Sequence, residues 1–363
     1  MYRITALVSF CLASFVLGCG YMTEVLVKQA VPAFPELPKP VDDLANGASG
    51  LIYFNTTTPF DLDVLLDNGG AGLPTTGVGT LFMPRGGEAP YPAMVLLHGS
   101  GGISPGREME YGQMLSQNGV AAFILNYYLP RGVTDETDYM VRVLSVTEFD
   151  AIADAYAALH LLATHPAIDG QRIGVGGYSY GGMAARFAMD ERIRQALAPD
   201  HSGFAAFVDY YGPCFQRLNS TKTNGAPLLT LRGTEDASND LSACADREAE
   251  MQALGVEVEA HVYQGAGHAW EVNSPKEMHP EAPYLSGCEV VYDNAGRSSV
   301  NGKPVVDVAV ETPRMERILM RASSGDQMKE CVKSGYVIGR DDETKAKSDA
   351  TLLNFLRRHL SSS

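Results

Sequence analysis

Gly177-Tyr178-Ser179-Tyr180-Gly181 is a G-x-S-x-G pentapeptide between the apolar run Arg172-Ile173-Gly174-Val175-Gly176 and the small-residue run Gly182-Met183-Ala184-Ala185-Arg186-Phe187-Ala188. This pattern is typical of a sharp turn from a buried strand into a helix, with the serine exposed at the turn. Residues without bulk are needed at the flanking positions because the backbone there is strained. The N–H groups of the following helix favour negative charge beside the serine. The segment therefore predicts that Ser179 is a nucleophile.

A serine hydroxyl needs a base and a group that orients the base, and in this arrangement the chain order is serine, acid, histidine. The apolar run Pro227–Leu231 leads into Arg232-Gly233-Thr234-Glu235-Asp236, and the run Glu257–Tyr263 leads into Gln264-Gly265-Ala266-Gly267-His268. Each run is a predicted strand, so each partner follows the end of a strand. The sequence therefore predicts a triad of Ser179, Asp236 and His268.

Other residues compete for the same roles. His98 is a rival base, but a histidine in such a loop more often braces the turn by hydrogen bonding. Asp240, the adjacent Glu235 and Asp209 are rival acids, because Asp209 ends the preceding predicted strand. An acidic residue in a loop is usually a solvated turn former.

The oxyanion of a tetrahedral intermediate needs two N–H donors. Leu97-His98-Gly99-Ser100-Gly101-Gly102 follows another predicted strand, where the second donor is expected. The glycines let the main chain come close to a reacting carbonyl. We predict Ser100 N–H and Tyr180 N–H as the donors, with Gly101 as the alternative to Ser100.

Short apolar runs alternate with helical patterns from about residue 50, which predicts βαβ units and a mainly parallel sheet flanked by helices. Ser145-Val146-Thr147-Glu148 matches a capping box that opens a helix to about Ala163. The predicted strands are Leu51–Phe54, Val78–Met83, Ala93–Leu97, Ala121–Tyr127, Ala205–Tyr211, Pro227–Leu231 and Glu257–Tyr263, and the other predicted helices are Glu108–Asn118, one near Leu241–Leu254 and one at the end of the chain.

The sequence resembles the dienelactone hydrolase family of α/β-hydrolases, in the branch with serine at the nucleophile position. The matching stretches span roughly residues 50–270 and are His98–Gly102, Arg131-Gly132-Val133, Gly177–Gly182, Gly233–Asp236 and Gly267-His268-Ala269-Trp270. The resemblance implies an α/β-hydrolase fold and hydrolysis of carboxylic esters or lactones.

Two features depart from that family. The nucleophile is Ser179, so activation specific to a cysteine does not carry over. A long excursion, residues 272–345, lies between His268 and the C-terminal helix and is larger than in the small cytosolic members of that family. Within it we predict a hairpin of Val290–Tyr292 with Pro304–Val310 and a helix over Thr312–Cys331.

Aromatic residues flank the predicted triad. Tyr178 and Tyr180 adjoin the nucleophile and Trp270 follows His268. They either line an apolar acyl pocket or pack in the interior. Arg131 either faces an acidic substrate group or forms a fixed ion pair, and the sequence favours the ion pair.

The N-terminus predicts export. Arg3 precedes an apolar stretch from Ile4 to Leu17, which suits a secretory signal over residues 1–18. Val16-Leu17-Gly18-Cys19 resembles the lipobox of bacterial lipoproteins, with Cys19 as the lipidated residue of an outer-membrane protein. The alternatives are ordinary signal cleavage or a buried helix. Residues 19–48 contain four prolines and predict a tether before a hydrolase domain at 49–363.

The remaining cysteines are Cys214, Cys244, Cys288 and Cys331. An even number in an exported chain predicts disulfides, and three pairings are possible. The expected fold favours Cys214 with Cys244, because both follow neighbouring strands, and this leaves Cys288 with Cys331. Free buried thiols are the alternative.

Composition narrows the functional class. Hydrophobic residues make up 45% of the 363 residues and charged residues 20%, which indicates a globular protein with a large core. A net charge of −15 without a basic stripe argues against nucleic acid as a partner. No zinc spacing or phosphate-binding glycine loop is present, so we expect no metal or cofactor.

The prediction is therefore a serine esterase or lactonase that contacts a membrane only through a lipid anchor. The alternatives are a peptidase of the prolyl-oligopeptidase type and a binding protein that keeps the fold without its chemistry.

Overall fold

The computed structural model describes residues 30–67, 72–305 and 308–360. The predicted signal over residues 1–18 and the predicted lipidation site Cys19 lie outside these ranges. Within the described residues, no helix is both long enough and apolar enough to cross a membrane.

An eight-stranded sheet forms the centre of the fold. Its order is β1-β2-β4-β3-β5-β6-β8-β9, with β2 antiparallel to both β1 and β4 and with the remaining neighbours parallel. This is the predicted α/β-hydrolase architecture. The strands are β1 (Gly50–Thr58), β2 (Leu73–Phe82), β3 (Tyr91–Leu97), β4 (Ala121–Leu125), β5 (Ile168–Tyr178), β6 (Phe207–Tyr210), β8 (Leu228–Gly233) and β9 (Val258–Tyr263).

Helices cover both faces of this sheet. One apolar cluster, which includes Phe123 and Val95, packs against helix α4, and a second, which includes Met94 and Leu231, packs against helix α10. The helices up to the sheet's last strand are α1 (Leu62–Leu66), α2 (Glu110–Gln117), α3 (Tyr139–Ser145), α4 (Glu148–Ala163), α5 (Tyr180–Phe187), α6 (Glu191–Leu197) and α7 (Leu241–Ala253), and the C-terminal helix is α10 (Asp342–Leu360).

The start of α4 differs from the prediction. Ser145 ends α3, and the N-cap of α4 is Thr147, whose hydroxyl accepts from the Asp150 N–H while the Asp150 carboxylate accepts from the Thr147 N–H. The capping box thus uses Thr147 and Asp150 rather than Ser145 and Glu148. Glu148 is free of that role, and its side chain is buried elsewhere.

The excursion forms two small sheets and two helices. Strand β11 (Val290–Tyr292) pairs with β12 (Ser298–Val300) rather than with the predicted Pro304–Val310, and it also lies parallel to β7 (Gln216–Leu218). The predicted helix over Thr312–Cys331 is split into two. The other elements are β10 (Glu277–Tyr284), β13 (Lys303–Pro304), α8 (Arg314–Ser323), α9 (Gly325–Met328) and β14 (Lys333–Ile338).

Two disulfides join the cysteines as the expected fold favoured. Cys214 is bonded to Cys244, and Cys288 is bonded to Cys331. The second bond joins the loop after β10 to the residues just before β14, the two strands that pair antiparallel. Disulfides persist in oxidising compartments, so both bonds indicate an extracellular or periplasmic protein.

The end of the predicted tether packs onto the domain. The Val41 N–H donates to the Tyr53 carbonyl of β1, and Leu44 is buried in the core. The Leu44 N–H donates to the Thr164 hydroxyl. Burial of the apolar Leu44 side chain therefore stabilises the position of this end of the tether, although the tether's prolines predict no regular element.

Candidate active site

The turn at Ser179 has the strained geometry that its sequence predicts. Ser179 has φ of 54° and ψ of −117°, which is outside the regions that side chains prefer. A Cβ on Gly177 would lie 2.3 Å from the Gly181 carbonyl carbon, and a Cβ on Gly181 would lie 2.5 Å from the His98 carbonyl oxygen. Only glycine fits at either position, so the pentapeptide holds the serine against the loop after β3.

The structure brings the three predicted triad side chains together. Ser179 Oγ lies 2.9 Å from His268 Nε2, and His268 Nδ1 lies 2.7 Å from Asp236 Oδ2. The three residues follow β5, β8 and β9, whose carboxyl ends meet at one edge of the sheet. Asp236 and His268 are buried, whereas Ser179, which lies beside His268 Nε2, is partly exposed. This arrangement lets His268 accept a proton from Ser179.

Neighbouring groups hold Asp236 ionised. Burial alone would raise the pKa of its carboxyl, but the attraction of His268 and hydrogen bonds from His268, Ser238 and Asn239 bring that pKa below its usual value. Asn239 Nδ2 lies 2.8 Å from Asp236 Oδ2 and also donates to the Tyr211 carbonyl. A carboxylate fixed in this way keeps the His268 imidazole in one tautomer and orientation.

The rival acids have other partners. Asp209 is fully buried between Arg186 and Arg232, which approach its Oδ2 to 2.9 Å and 2.8 Å. Asp240 caps α7 by accepting from its first backbone N–H groups. Glu235 is exposed and pairs with Lys276. Each of these carboxylates thus has a structural place outside the triad.

His98, the rival base, is buried behind the oxyanion loop. Its Nδ1 lies 2.7 Å from the Gly99 carbonyl oxygen, and its ring stacks on Tyr127 with centroids 3.7 Å apart. Burial lowers its pKa to about 3, so the imidazole stays neutral. The residue braces the loop, as its sequence position indicates.

The predicted oxyanion donors lie on two segments that meet at Ser179. Gly102 N–H donates to the Gly99 carbonyl and closes a tight turn around Ser100, while the Tyr128 hydroxyl donates to the Ser100 carbonyl at 2.9 Å. Tyr180 is the first residue of α5, so helix geometry leaves its N–H without a helical acceptor. A Cβ on Gly99 would lie 3.4 Å from Ser179 Cβ, so the loop that contains Ser100 adjoins the nucleophile.

Comparison with known proteins identifies the family. Residues 79–295, more than half of the chain, match the profile of the dienelactone hydrolase family. The chain belongs to the dienelactone hydrolase family. A curated relative from a Bradyrhizobium species, a probable 2-oxo-3-(5-oxofuran-2-ylidene)propanoate lactonase, is 26% identical over 164 residues, which are 43% of this chain. The match covers 64% of that relative, less than two thirds of its length.

Solved structures agree on the fold of this dienelactone hydrolase family member. A protein named m3DLH superposes with a TM-score of 0.51 at 16% identity. The superposition covers 86% of this chain and 100% of the m3DLH chain. A dienelactone hydrolase-like promiscuous phosphotriesterase from metagenomic libraries gives a TM-score of 0.50 at 14% identity, with the same coverage of 86% and 100%. At such low identity the likeness shows the α/β-hydrolase fold alone.

The aromatic residues suggested for an acyl pocket have mixed positions. Tyr178 and Trp270 are fully buried and pack in the interior of this family member, on the α10 side of the sheet. Tyr180 is partly exposed, but its hydroxyl donates to Glu148. Arg131 forms the favoured fixed ion pair, with its Nη1 2.7 Å from Asp154 Oδ2. Interior packing therefore accounts for Tyr178 and Trp270, and the ion pair with Asp154 accounts for Arg131.

A buried carboxylate links Tyr180 to the excursion, and the sequence did not reveal it. The Glu148 carboxylate accepts from the hydroxyls of Tyr180 and Tyr292 and pairs with Arg321 at 3.2 Å. Burial opposes its charge, but Arg321 and the two hydroxyls bring the pKa of Glu148 below its usual value. A glutamate at the start of an apolar helix was the signal in the sequence for this buried carboxylate. The capping-box interpretation had given that glutamate a different role.

A second buried acid lies behind the triad. Glu271 is fully buried and accepts from the Tyr211 hydroxyl, and the Tyr211 ring centroid lies 4.5 Å from that of His268. Burial raises the pKa of Glu271 to about 8, so at neutral pH the group is mostly protonated. Its position three residues after His268 was visible in the sequence, but nothing there showed that it turns inward.

Proposed function

We propose that this protein is a serine hydrolase that cleaves carboxylic esters or lactones through an acyl-enzyme on Ser179. One observation supports this above all, namely the continuous hydrogen-bonded series from Ser179 Oγ through the His268 ring to Asp236, with contacts of 2.9 Å and 2.7 Å. Such a series activates a hydroxyl that is otherwise a weak nucleophile.

In the first half-reaction, His268 Nε2 takes the proton of Ser179 as Oγ attacks the acyl carbonyl. Asp236 stabilises the imidazolium that forms, and the N–H groups of Ser100 and Tyr180 bind the oxyanion. Collapse of the tetrahedral intermediate breaks the bond to the alcohol oxygen, which receives the proton from His268. The products are the free alcohol and acylated Ser179. With a lactone, the alcohol stays attached to the acyl chain.

In the second half-reaction, His268 deprotonates a water molecule that attacks the acyl-enzyme. The same two N–H groups bind the second oxyanion, and His268 returns its proton to Ser179 Oγ. The carboxylic acid product then leaves. Apart from the substrate and one water molecule, the groups that act in these steps are side-chain and backbone groups of this chain.

The substrate class follows from the family and from the relative. The chain belongs to the dienelactone hydrolase family, and the partly matching relative from Bradyrhizobium is a probable lactonase. A lactone is a cyclic ester, so the same attack on an acyl carbonyl opens it. These two observations support esters and lactones as substrates.

Replacing the nucleophile tests the proposal. We expect Ser179→Ala to lower kcat for a p-nitrophenyl ester by about 10⁴- to 10⁶-fold. A fluorophosphonate probe should label the wild-type protein at Ser179 and should leave the variant unlabelled. Ser116→Ala, at a half-buried serine of α2 whose hydroxyl donates to the Gln113 carbonyl, is the matched control and should be labelled normally. Folded wild-type protein that resists the probe would instead support a binding protein with this fold.

We also propose that the enzyme is exported and anchored by a lipid on Cys19, in the periplasm or at the cell surface. The two disulfides support an oxidising compartment. Wild-type protein that is labelled with the fluorophosphonate probe should fractionate with membranes. The Cys19→Ala variant, labelled in the same way, should be recovered in the soluble fraction. Equal distribution of both proteins would contradict the anchor.

A further inference from the structure

Two tyrosines contact groups that adjoin the nucleophile. The Tyr139 hydroxyl lies 3.3 Å from Ser100 Oγ, beside the oxyanion loop. The Tyr336 ring meets the His268 ring edge-on, with centroids 5.5 Å apart. Ser179 lies between the histidine and the oxyanion loop, so a substrate that places its carbonyl there passes both rings. We call Tyr139 and Tyr336 the tyrosine clamp.

The two rings of the clamp differ in exposure. Tyr336 is half-buried, and burial raises the pKa of its phenol. Tyr139 remains 44% exposed, so one ring faces solvent at the opening. Tyr284 continues the aromatic wall, with its ring 5.8 Å from that of Tyr336.

The excursion holds Tyr336 in place. Strand β14 passes along the catalytic loop, where the His268 N–H donates to the Val337 carbonyl and the Gly339 N–H donates to the His268 carbonyl. The Cys288–Cys331 disulfide fixes the chain just before β14. Tyr336 is therefore built on the same backbone that positions the base.

The excursion also holds Tyr139. Helix α8 packs against α3, which begins at Tyr139, and the Arg314 guanidinium donates to the Ser145 carbonyl at the end of α3. The nearby Arg142 is committed to structure, because it donates to the carbonyls of Thr137, Gly101 and Asp135. The Tyr139 ring, by contrast, is 44% exposed, so its faces are accessible to a substrate on this side.

We propose that the substrate is an ester or lactone with an aromatic ring close to the scissile carbonyl, and that the ring binds between Tyr139 and Tyr336. Aromatic rings attract one another in offset or edge-to-face geometry beyond the effect of buried area. This inference rests on the proposed function, since it concerns the same nucleophile. It assigns recognition to the excursion, which carries Tyr336, and to helix α3, which carries Tyr139 and packs against the excursion.

A matched pair of esters tests the clamp. The ethyl esters of 3-phenylpropanoic and 3-cyclohexylpropanoic acids share a non-aromatic leaving group and an acyl length but differ in the aromaticity of the acyl ring. After correction for hydroxide-catalysed hydrolysis, we expect wild-type kcat/KM to favour the phenyl ester by about tenfold. Tyr139→Leu and Tyr336→Leu should each reduce this ratio by about threefold, and the double variant should bring it close to one.

Three further variants control for damage to the protein. Tyr139→Phe and Tyr336→Phe keep the rings and should keep the ratio. Tyr91→Leu replaces a partly buried tyrosine at the amino end of β3, the opposite end from the site, and should leave the ratio unchanged. A wild-type ratio near one, or a double Leu variant with the wild-type ratio, would overturn the clamp while Ser179 still reacts with fluorophosphonate. Loss of both ester hydrolysis and labelling in the wild-type protein would instead refute the proposed function.

Discussion

The parallel part of the sheet and the excursion are built by different means. Strands β3, β4, β5, β6 and β8 lie between two apolar clusters, and residues such as Val95, Phe123 and Leu231 are fully buried. Burial of this kind stabilises a fold by about 25 cal/mol per Å² of apolar surface. Ser179, Asp236 and His268 all follow strands of this part. The catalytic geometry is therefore supported by a large and distributed source of stability.

The excursion depends on fewer and more polar links. Most residues of β10 and β14 are exposed or half-buried. Arg317 pairs with Asp61 and Asp63 near α1, and Arg321 pairs with Glu148 at the start of α4. The Cys288–Cys331 disulfide closes the remaining loop. A small number of contacts thus sets the position of the clamp.

This difference indicates that chemistry and recognition can be separated in this protein. A change at the triad should abolish turnover and leave the fold intact, because the sheet does not depend on those side chains. A change at one polar link of the excursion should alter stability and the opening of the site, and the triad should remain. Substitution of Asp236 tests the separation at the triad, and substitution of Arg321 tests it at the excursion.

The larger effect is expected at the sheet. Asp236→Asn keeps the shape of the side chain but removes the charge that orients His268, so the imidazole is expected in the wrong tautomer. We expect kcat for a p-nitrophenyl ester to fall by about 10³- to 10⁴-fold. The far-UV circular dichroism spectrum and the urea midpoint should stay close to those of the wild type.

Asp240→Asn is the matched control for Asp236→Asn. Asp240 is a nearby aspartate whose carboxylate caps α7, and asparagine is an equally good N-cap residue. Its kcat should stay within about twofold of the wild-type value. Comparable losses in both variants would mean that Asp236 is not the acid of the triad.

The sequence predicted the sheet well because its signals are local. Several buried strands contain continuous apolar runs, and Ser179 and Asp236 each follow such a strand within a few residues, as at Leu228–Gly233 and Asp236. Glycines at 177 and 181 are required by contacts within the turn itself and by one neighbouring loop. Patterns of this range can be interpreted without knowing the rest of the fold.

The sequence predicted the excursion poorly because its contacts are distant. Arg321 and Glu148 are 173 residues apart, and neither has a local pattern that shows burial. Strand β14 has polar and half-exposed residues, so no apolar run marked it, although it pairs with β10 and lies beside His268. The role of Tyr336 therefore became visible only when the fold placed it.

The smaller effect is expected at the Arg321–Glu148 link. Glu148 is fully buried and Arg321 is 20% exposed, so Arg321→Met leaves a buried carboxylate with only hydroxyl donors. We expect the free energy of unfolding at pH 7 to fall by about 2 to 4 kcal/mol. Because Tyr180 donates to the same carboxylate, kcat should fall as well, but by less than about tenfold, since the triad remains. Urea unfolding and steady-state kinetics measure the two effects.

The pH dependence of this loss distinguishes a charge effect from lost packing. Glu148 has a pKa below its ordinary value of 4.5 in the folded protein. Its stabilisation is thus present above about pH 4.5 and is lost as the pH falls through the folded pKa. The difference in the free energy of unfolding between wild type and Arg321→Met should therefore shrink in acid, where Glu148 is protonated in both.

Arg297→Met is the control, at an exposed pair with Asp293, and should lower the free energy of unfolding by less than about 1 kcal/mol. A difference for Arg321→Met that stays constant from pH 7 to pH 3.5 would show that its contribution is packing alone.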